Sequence, residues 1–381
     1  MKLLSLRLAL LVGATGVLIA VPTVLLLGSR SAANPSSPRH GVAASDQSDV
    51  NPFRSHGLPL AQVPTPSATS TAASTPAAAT PKPAATTVTH PTPAPTPRPT
   101  PRPAPPPPAA GLPNFSHVFV IVMENREYNA VIGDPGAPYI NSLARSYGLA
   151  TNYYGVSHPS LPNYLALTAG STFGITSDCT GCFVSATNIA DQVERSGRSW
   201  KAYMQDMPSA CYLGSSYAGY AQKHDPFVYF TDIRNNAARC AAHVVPFTQF
   251  GADLNSGAVP NFVWITPSMC NDMHDCSTSQ GDAWLSSVVP GILGSSAYRN
   301  NGVLFITWDE GDSSAGCCGD SYGGHVATVV ISPLARNGFR SGVAENHYSL
   351  LRTIEDAWRL GHLGSSGCAC SAQMREYFRA S

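Results

Sequence analysis

Ser160 lies where a predicted strand ends and a predicted helix begins. The stretch TNYYGVSHPSLPNYLALTAG (151–170) starts with β-forming residues, passes through a polar turn that contains His158, and continues with helix-forming residues over 163–168. The first N–H groups of a helix and its dipole favour an anion at such a position. A serine hydroxyl placed there can bind a phosphate or attack it, with His158 as the nearest candidate base.

Further residues able to hold a metal or a phosphate stand at the ends of other predicted strands. Carboxyl ends of parallel strands meet at one edge of a sheet, so these side chains are expected to converge there. The adjacent carboxylates Asp309 and Glu310 would repel each other unless a cation or a proton lay between them, which favours a metal site. The candidates are Glu124, Asn125, His158, Ser160, His274, Asp309, Glu310 and His325.

Each candidate alone also has a structural explanation. The acids can be helix caps, salt-bridge partners or ordinary loop charges, and the histidines can be surface residues. His224, in the sequence QKHDP, can clamp a phosphate or lie in a solvated turn. Three further histidines, His243, His347 and His362, are interpreted as structural. Because polar residues follow four separate predicted strands, the joint pattern favours a site.

The elements that must position these residues alternate between strands and helices from residue 115 onward. Continuous apolar runs are typical of strands buried on both faces of a parallel sheet; they occur at 117–125, 261–268, 302–312 and 325–333. Helical spacing occurs at 138–148, 188–197, 281–293 and 348–361. This alternation predicts an α/β fold, a three-layer sandwich with a mostly parallel central sheet.

The N-terminal part of the chain has a different composition. Lys2 and Arg7 precede an apolar stretch, which predicts an export signal over 1–30; a cleaved signal peptide and a retained membrane anchor both fit it. The Pro/Thr/Ala-rich segment 31–112 is predicted to be a disordered, semi-rigid stalk. Residues 113–381 are predicted to form one catalytic domain.

Charge is divided between these parts. Residues 1–110 carry eight Lys/Arg and two Asp/Glu, a net +6, whereas the remainder carries 15 and 21, a net −6. A basic stalk can favour contact with an anionic membrane or cell wall, or it can simply keep the stalk soluble. The acidic domain argues against a nucleic-acid partner.

All ten cysteines follow residue 110, and in an exported domain they predict disulfides. Eight of them fall in four pairs that are close together in the sequence, and Cys211 and Cys240 lie further apart. A zinc site is disfavoured because Cys-x-x-Cys occurs once. Because adjacent cysteines seldom bond to each other, Cys317 and Cys318 are expected to reach elsewhere, with Cys368 and Cys370 as candidate partners.

Six motifs occur in order over 115–335: MENREYNAVIG, HPSLPNYLALTAG, KHDPFVYF, NDMHDCSTSQGDAWL, ITWDEGD and GGHV. With them the chain resembles the bacterial phosphoesterases that include secreted acid phosphatases and phospholipases C, within the alkaline-phosphatase-like superfamily. The resemblance implies an alkaline-phosphatase-like fold and a Ser160 nucleophile that forms a phosphoserine. It also implies phosphate contact or leaving-group protonation by His158, His274 and His325. A divalent metal (Ca, Mg, Mn or Zn) would be bound by Glu124, Asn125, Ser160, Asp309 and Glu310.

The leading hypothesis is therefore an exported, metal-dependent phosphatase that takes a phosphate ester substrate, of the acid phosphatase type. A phospholipase C-like phosphodiesterase is the alternative within the same chemistry. A non-catalytic surface display protein is a third hypothesis, although no implied catalytic residue is missing. A Ser-His-Asp esterase is disfavoured because Ser160 lacks the Gly-x-Ser-x-Gly motif.

Overall fold

The computed structural model describes residues 111–379. The predicted signal or anchor segment at 1–30 and the predicted stalk up to residue 110 lie outside this range. Within it, no helix has the length and apolar character that crossing a membrane requires. The boundaries of the three predicted segments remain predictions.

Strands and helices alternate along this part of the chain, as the sequence pattern predicted. The strands are β1 (Val118–Met123), β2 (Gly148–Tyr154), β3 (Trp200–Met204), β4 (Ser216–Tyr217), β5 (Tyr220–Ala221), β6 (Val244–Pro246), β7 (Phe262–Thr266), β8 (Val303–Trp308), β9 (His325–Ile331), β10 (Arg340–Ser341) and β11 (Glu345–Asn346). The helices are α1 (Pro138–Ser146), α2 (Ser160–Ala169), α3 (Ile189–Arg195), α4 (Thr231–Arg234), α5 (Ala237–His243), α6 (Phe250–Ser256), α7 (Thr278–Gly294), α8 (Ser296–Arg299) and α9 (His347–Trp358).

A nine-stranded sheet forms the centre of this part of the chain. Its strand order is β10-β2-β9-β8-β1-β7-β3-β6, and β11 also pairs with β2. Strand β9 runs antiparallel to both of its neighbours, β2 and β8, and the other pairings in the sheet are parallel. The prediction of a mostly parallel sheet is confirmed. The carboxyl ends of the parallel strands and the start of β9 therefore share one edge.

Helices cover both faces of the sheet. Trp264 of β7 packs against Tyr164 of α2, with ring centroids 6.1 Å apart. Tyr203 of β3 is the register partner of Ile265, the next residue along β7, and packs against Phe250 of α6 at 5.0 Å. Because successive residues of a strand face opposite sides, α2 and α6 lie on opposite faces of the sheet. The three-layer arrangement is confirmed.

All ten cysteines form disulfides, and one expectation about them was wrong. The pairs are Cys179–Cys182, Cys211–Cys240, Cys270–Cys276, Cys317–Cys318 and Cys368–Cys370. The adjacent Cys317 and Cys318 bond to each other and do not reach Cys368 or Cys370. The reason is local: the chain turns tightly here, with Cys318 at φ +60° and Cys317 paired to Ser321.

Candidate active site

Ser160 is the first residue of α2 and is almost fully buried. The helix starts three residues earlier than the sequence pattern indicated, so the serine belongs to its first turn. Its hydroxyl donates to Oε2 of Glu124 at 3.0 Å. Every residue of α2 is buried, which fixes the position of this hydroxyl relative to the sheet.

Glu124 follows the last residue of β1 and is completely buried. Its Oε1 accepts a 2.5 Å hydrogen bond from the hydroxyl of Tyr164, one turn along α2 from Ser160. Its backbone N–H donates to the carbonyl of Asp272 at 2.8 Å. Glu124 therefore joins the end of β1 to α2 and to the loop after β7.

Asp309 and Glu310 follow β8, the immediate neighbour of β1. Met123 and Trp308 are register partners, so the two chains leave the sheet side by side. Asn125 adopts φ +50°, a left-handed conformation that asparagine tolerates, and its N–H donates to Oδ1 of Asp309 at 3.1 Å. Oδ2 of Asp309 is buried and has no hydrogen-bond partner among the described residues.

The acids at these strand ends hold their protons more tightly than usual. Burial raises the pKa of Glu124 and Asp309 well above the ordinary range, and neighbouring carboxylates add to the effect. Burial also raises the pKa of Glu310 and Asp272, each to about 8. The hydrogen bond from the N–H of Asn125 acts in the opposite direction on the pKa of Asp309. Like charges gathered in a buried site favour a bound cation.

His158 is bonded to protein groups through both ring nitrogens. Its Nδ1 lies 2.7 Å from Oε2 of Glu310, and its Nε2 lies 3.1 Å from the carbonyl oxygen of Ser313. Because a carbonyl can only accept, Nε2 carries a proton. This arrangement orients Glu310, and it leaves neither nitrogen available as a base for Ser160.

His274 lies in the loop after β7 and is partly exposed. Its Nδ1 is 2.7 Å from a carboxylate oxygen of Asp275, and its Nε2 is 3.1 Å from the ammonium of Lys223. The ammonium can only donate, so Nε2 accepts and Nδ1 carries the proton. The imidazole thus lies between a carboxylate and a cation.

His224 is completely buried, which excludes the solvated turn considered for it. The ring stacks on Tyr164, its Nε2 is 3.2 Å from Glu124, and its Nδ1 is 3.4 Å from Asp272. Burial, together with the charge of Lys223, lowers its pKa well below the usual value. His224 is therefore a neutral imidazole against the buried acids.

His325 begins β9 at the expected edge, but other groups hold its ring. Its Nε2 lies 3.1 Å from the carbonyl oxygen of Thr151, and the ring stacks on Tyr128 at 4.4 Å. Its backbone N–H donates to Glu127 at 3.1 Å. These contacts hold the ring of His325 against β2 and Tyr128, and its phosphate contact stays a prediction.

Two further residues contact this cluster that the sequence pattern did not indicate. Asp178 accepts hydrogen bonds from the N–H of Leu161 at 3.0 Å and from Lys223 at 2.9 Å. A carboxylate of the chain itself thus accepts from one of the N–H groups at the start of α2, and the phosphate at this helix start stays a prediction. His347, interpreted from the sequence as structural, lies 2.5 Å through Nε2 from the carbonyl oxygen of Asp309.

A divalent cation fits the residues of this edge. A bound cation would give the unpartnered Oδ2 of Asp309 a partner and could also contact the Ser160 hydroxyl. It would stabilise the ionised form of the four acids whose pKa values are raised. A second candidate group is tighter: ligand atoms of Glu124, His224 and His274 lie within 4.8 Å of one another. The ammonium of Lys223 next to His274 would repel a cation there, so the oxygen-rich group is the better fit.

Known proteins resemble this chain over most of the described residues. The model of the Phosphoesterase family matches residues 134–361. Phosphatidylinositol-3-phosphatase of Mycobacterium tuberculosis is 34% identical over 257 residues, which cover 67% of this chain and 81% of that protein. Phosphate-repressible acid phosphatase of Penicillium chrysogenum is 30% identical over 266 residues, 68% of this chain and 62% of that protein. A solved structure of an alkaline phosphatase superfamily protein from Vibrio parahaemolyticus superposes with a TM-score of 0.49 and 10% identity, over 70% and 72% of the two chains.

Proposed function

Because this chain belongs to the phosphoesterase family, we propose that it hydrolyses phosphate monoesters through a nucleophilic Ser160 and a divalent cation. It is a hydrolase that acts on phosphoric ester bonds, like the phosphatases to which it is similar. The buried hydrogen bond from the Ser160 hydroxyl to Glu124 supports the proposal most, because it places the serine against a carboxylate at the strand edge that also carries Asp309 and Glu310.

In the proposed reaction, Ser160 Oγ attacks the phosphorus, and the ester oxygen leaves with the bonding electrons and takes a proton from solvent water. The hydroxyl proton passes toward Glu124, which already accepts its hydrogen bond. Water then attacks the resulting phosphoserine and releases inorganic phosphate. A cation bound by Glu124, Asn125, Ser160, Asp309 and Glu310 would favour the serine alkoxide and neutralise phosphoryl oxygens.

The candidate histidines take different parts in this proposal. His274, partly exposed and close to Glu124 and His224, belongs to the phosphate end of the site. His158 positions Glu310, because both of its ring nitrogens are engaged by the protein. His325 supports the edge of the sheet through Thr151 and Tyr128.

Monoesters are the preferred substrates in our proposal, and two relatives support this choice by name. One is a phosphatidylinositol-3-phosphatase and the other an acid phosphatase. The phosphodiesterase alternative is tested by measuring kcat/KM for p-nitrophenyl phosphate and for bis(p-nitrophenyl) phosphate. A higher value for the diester would overturn the monoester assignment.

Ser160→Ala tests the nucleophile. We expect kcat to fall by at least about 10³-fold, because no other group would form the phosphoserine. Wild-type protein quenched in acid during turnover should carry phosphate on Ser160, detectable by mass spectrometry of its peptides. Equal activity of variant and wild type would exclude the nucleophile role.

Metal removal tests the cation. Treatment with a chelator should abolish activity and lower the unfolding temperature, by about 2–4 °C for each kcal/mol of lost binding energy. Asp309→Asn should lose the metal in elemental analysis. If this variant kept it and His224→Ala lost it, the group of Glu124, His224 and His274 would be the site instead.

We also propose export, with attachment through the predicted N-terminal segment as the alternative to release. Five disulfides suit an oxidising compartment outside the cytoplasm. Immunoblotting of culture medium and of membrane fractions distinguishes release from attachment. Protein confined to the cytosolic fraction would contradict export.

A further inference from the structure

Lys223 carries a positive charge into a site that is otherwise dominated by carboxylates. It belongs to a short 3-10 helix, Gln222–His224, and only 19% of its side chain is exposed. Its ammonium makes hydrogen bonds of 2.9 Å to Asp178 and 3.1 Å to His274 among the described residues. An ammonium has three N–H donors, so one donor remains after these two bonds.

Asp178 fixes this ammonium relative to the proposed nucleophile. One carboxylate oxygen accepts from Lys223 and the other accepts from the N–H of Leu161, the residue after Ser160. The Cys179–Cys182 disulfide follows Asp178 directly. A carboxylate held at both oxygens gives Lys223 a defined position near the start of α2.

A second set of contacts ties the two loops together. The side-chain amide of Gln222 donates to the carbonyl oxygen of Thr180 at 3.2 Å. The ammonium of Lys223 lies 3.1 Å from Nε2 of His274, and a ring nitrogen of His274 lies within 4.8 Å of a carboxylate oxygen of Glu124. The ammonium therefore lies close to the end of β1.

An ammonium fixed beside the proposed cation site is suited to an anion shared by both charges. Resting on the proposed function, we infer that Lys223 is a catalytic residue that binds the non-bridging oxygens of the phosphoryl group, with Asp178 as its positioning residue. A phosphate monoester carries close to two negative charges near neutral pH, about one more than a diester. A fixed cation therefore stabilises monoester binding and transfer more than diester transfer. Lys223 thereby sets the preference for monoesters.

Four variants of the full chain test this inference: Lys223→Met, Lys223→Arg, Asp178→Asn and a control. For Lys223→Met we expect kcat/KM for p-nitrophenyl phosphate to fall about 10²-fold, and for bis(p-nitrophenyl) phosphate less than about tenfold. The affinity for inorganic phosphate, measured by calorimetry, should fall in parallel with the monoester value. Lys223→Arg should recover most of the monoester kcat/KM and most of the phosphate affinity. Asp178→Asn should weaken phosphate binding by a smaller factor, because the ammonium remains but is less firmly held.

Lys201 provides a matched control, because it forms a similar pair with Asp253. The ammonium of Lys201 lies 2.7 Å from Asp253, and the two side chains are 22% and 28% exposed. The corresponding values for Lys223 and Asp178 are 2.9 Å, 19% and 27%. Lys201→Met should leave both kcat/KM values and the phosphate affinity within about twofold of wild type. Unfolding temperatures of all variants identify any that are misfolded.

Equal losses on monoester and diester in Lys223→Met would mean a merely structural role and would overturn the inference. So would a phosphate affinity equal to that of Lys201→Met. If wild-type protein hydrolysed neither ester, the proposed function would fail. The calorimetric comparison with inorganic phosphate would still decide the role of Lys223.

Discussion

His347 connects the strand edge that carries the proposed metal ligands to the interior of the domain. Its Nε2 donates to the carbonyl oxygen of Asp309, and its Nδ1 lies 3.2 Å from the hydroxyl of Tyr153. Burial lowers the pKa of His347 to about 4, so the ring is neutral and donates one hydrogen bond while accepting another. It therefore holds the backbone of a proposed metal ligand in place.

We expect His347→Ala to reduce activity or metal affinity by about 10–100-fold, the usual cost of losing a group that orients a ligand. His347→Gln should recover part of this loss, because its amide can donate to the same carbonyl. Metal titration and kcat/KM measurements check both variants.

The control for this prediction is His243→Ala. His243 also bonds to a strand carbonyl, that of Trp200 at 2.8 Å, but it lies in α5 beside β3. Its loss should affect stability alone. An equal loss of activity in both alanine variants would show that His347 has no particular connection to the site.

At the scale of elements, the end of β2, the end of β8 and the loop before β9 come together at Gly155, where a side chain has no room. A Cβ at Gly155, just after β2, would lie 2.5 Å from the carbonyl oxygen of Gly323 and 2.8 Å from that of Asp309. The loop before β9 and the end of β8 thus approach the end of β2 closely. This contact sets the distance between Ser160, five residues on, and the acids.

Gly155→Ala should therefore displace the acids relative to Ser160. We expect a stability loss of about 1–3 kcal/mol and a clear fall in kcat, measured by denaturant unfolding and steady-state kinetics. Gly294→Ala serves as the control, since nothing lies within 4 Å of a Cβ there and Gly294 is the last residue of α7. Wild-type kcat in Gly155→Ala would mean that the loops can separate without consequence.

The strongly periodic elements could be predicted from the sequence, and the local exceptions could not. Strands β1, β7, β8 and β9 and helices α1, α7 and α9 appear where apolar runs or helical spacing indicated them. Gly148 was interpreted as the end of a helix, but it begins β2. The ring of Tyr377 packs where its Cβ would be, at 2.6 Å, and this contact comes from the far end of the chain.

The convergence of candidate residues at strand ends could be anticipated for the same reason, because topology places those ends together. Lys223, Asp178 and His347 could not. Their partners lie 45, 51 and 38 residues away in sequence, and no periodic pattern relates them. Loop-to-loop contacts of this kind depend on packing, which a single sequence does not display.

At the scale of the whole molecule, several buried acids outside the site make stability depend on pH. Burial raises the pKa of Glu355 to about 7 and of Glu345 to about 8, from an ordinary value of 4.5. The folded state therefore holds more protons than the unfolded state between these values. By linkage, stability decreases as pH rises from about 4.5 to 8.

Glu355→Gln isolates one of these contributions. Its oxygens accept from the N–H of Leu363 and the hydroxyl of Ser366. In the variant the amide oxygen can accept from Leu363, and the NH2 group can donate to Ser366 Oγ, whose own proton then goes to the carbonyl oxygen of Leu363. We expect the variant to exceed wild-type stability at pH 8 by on the order of 2 kcal/mol and to match it near pH 4.5. Denaturant midpoints at the two pH values test this, and a variant less stable than wild type at pH 8 would refute it.

The strand order also determines when in its synthesis the chain can become active. Strand β1 lies between β7 and β8, so one of the two strands beside β1 and Glu124 is missing until residues 303–308 have been synthesised. His347 follows later still. Parallel pairings across such long separations form slowly, and a nascent chain emerges from its N-terminal end. The growing chain is therefore inactive toward the phosphate esters of the compartment where translation occurs. It can become active only after the last part of the domain has been synthesised.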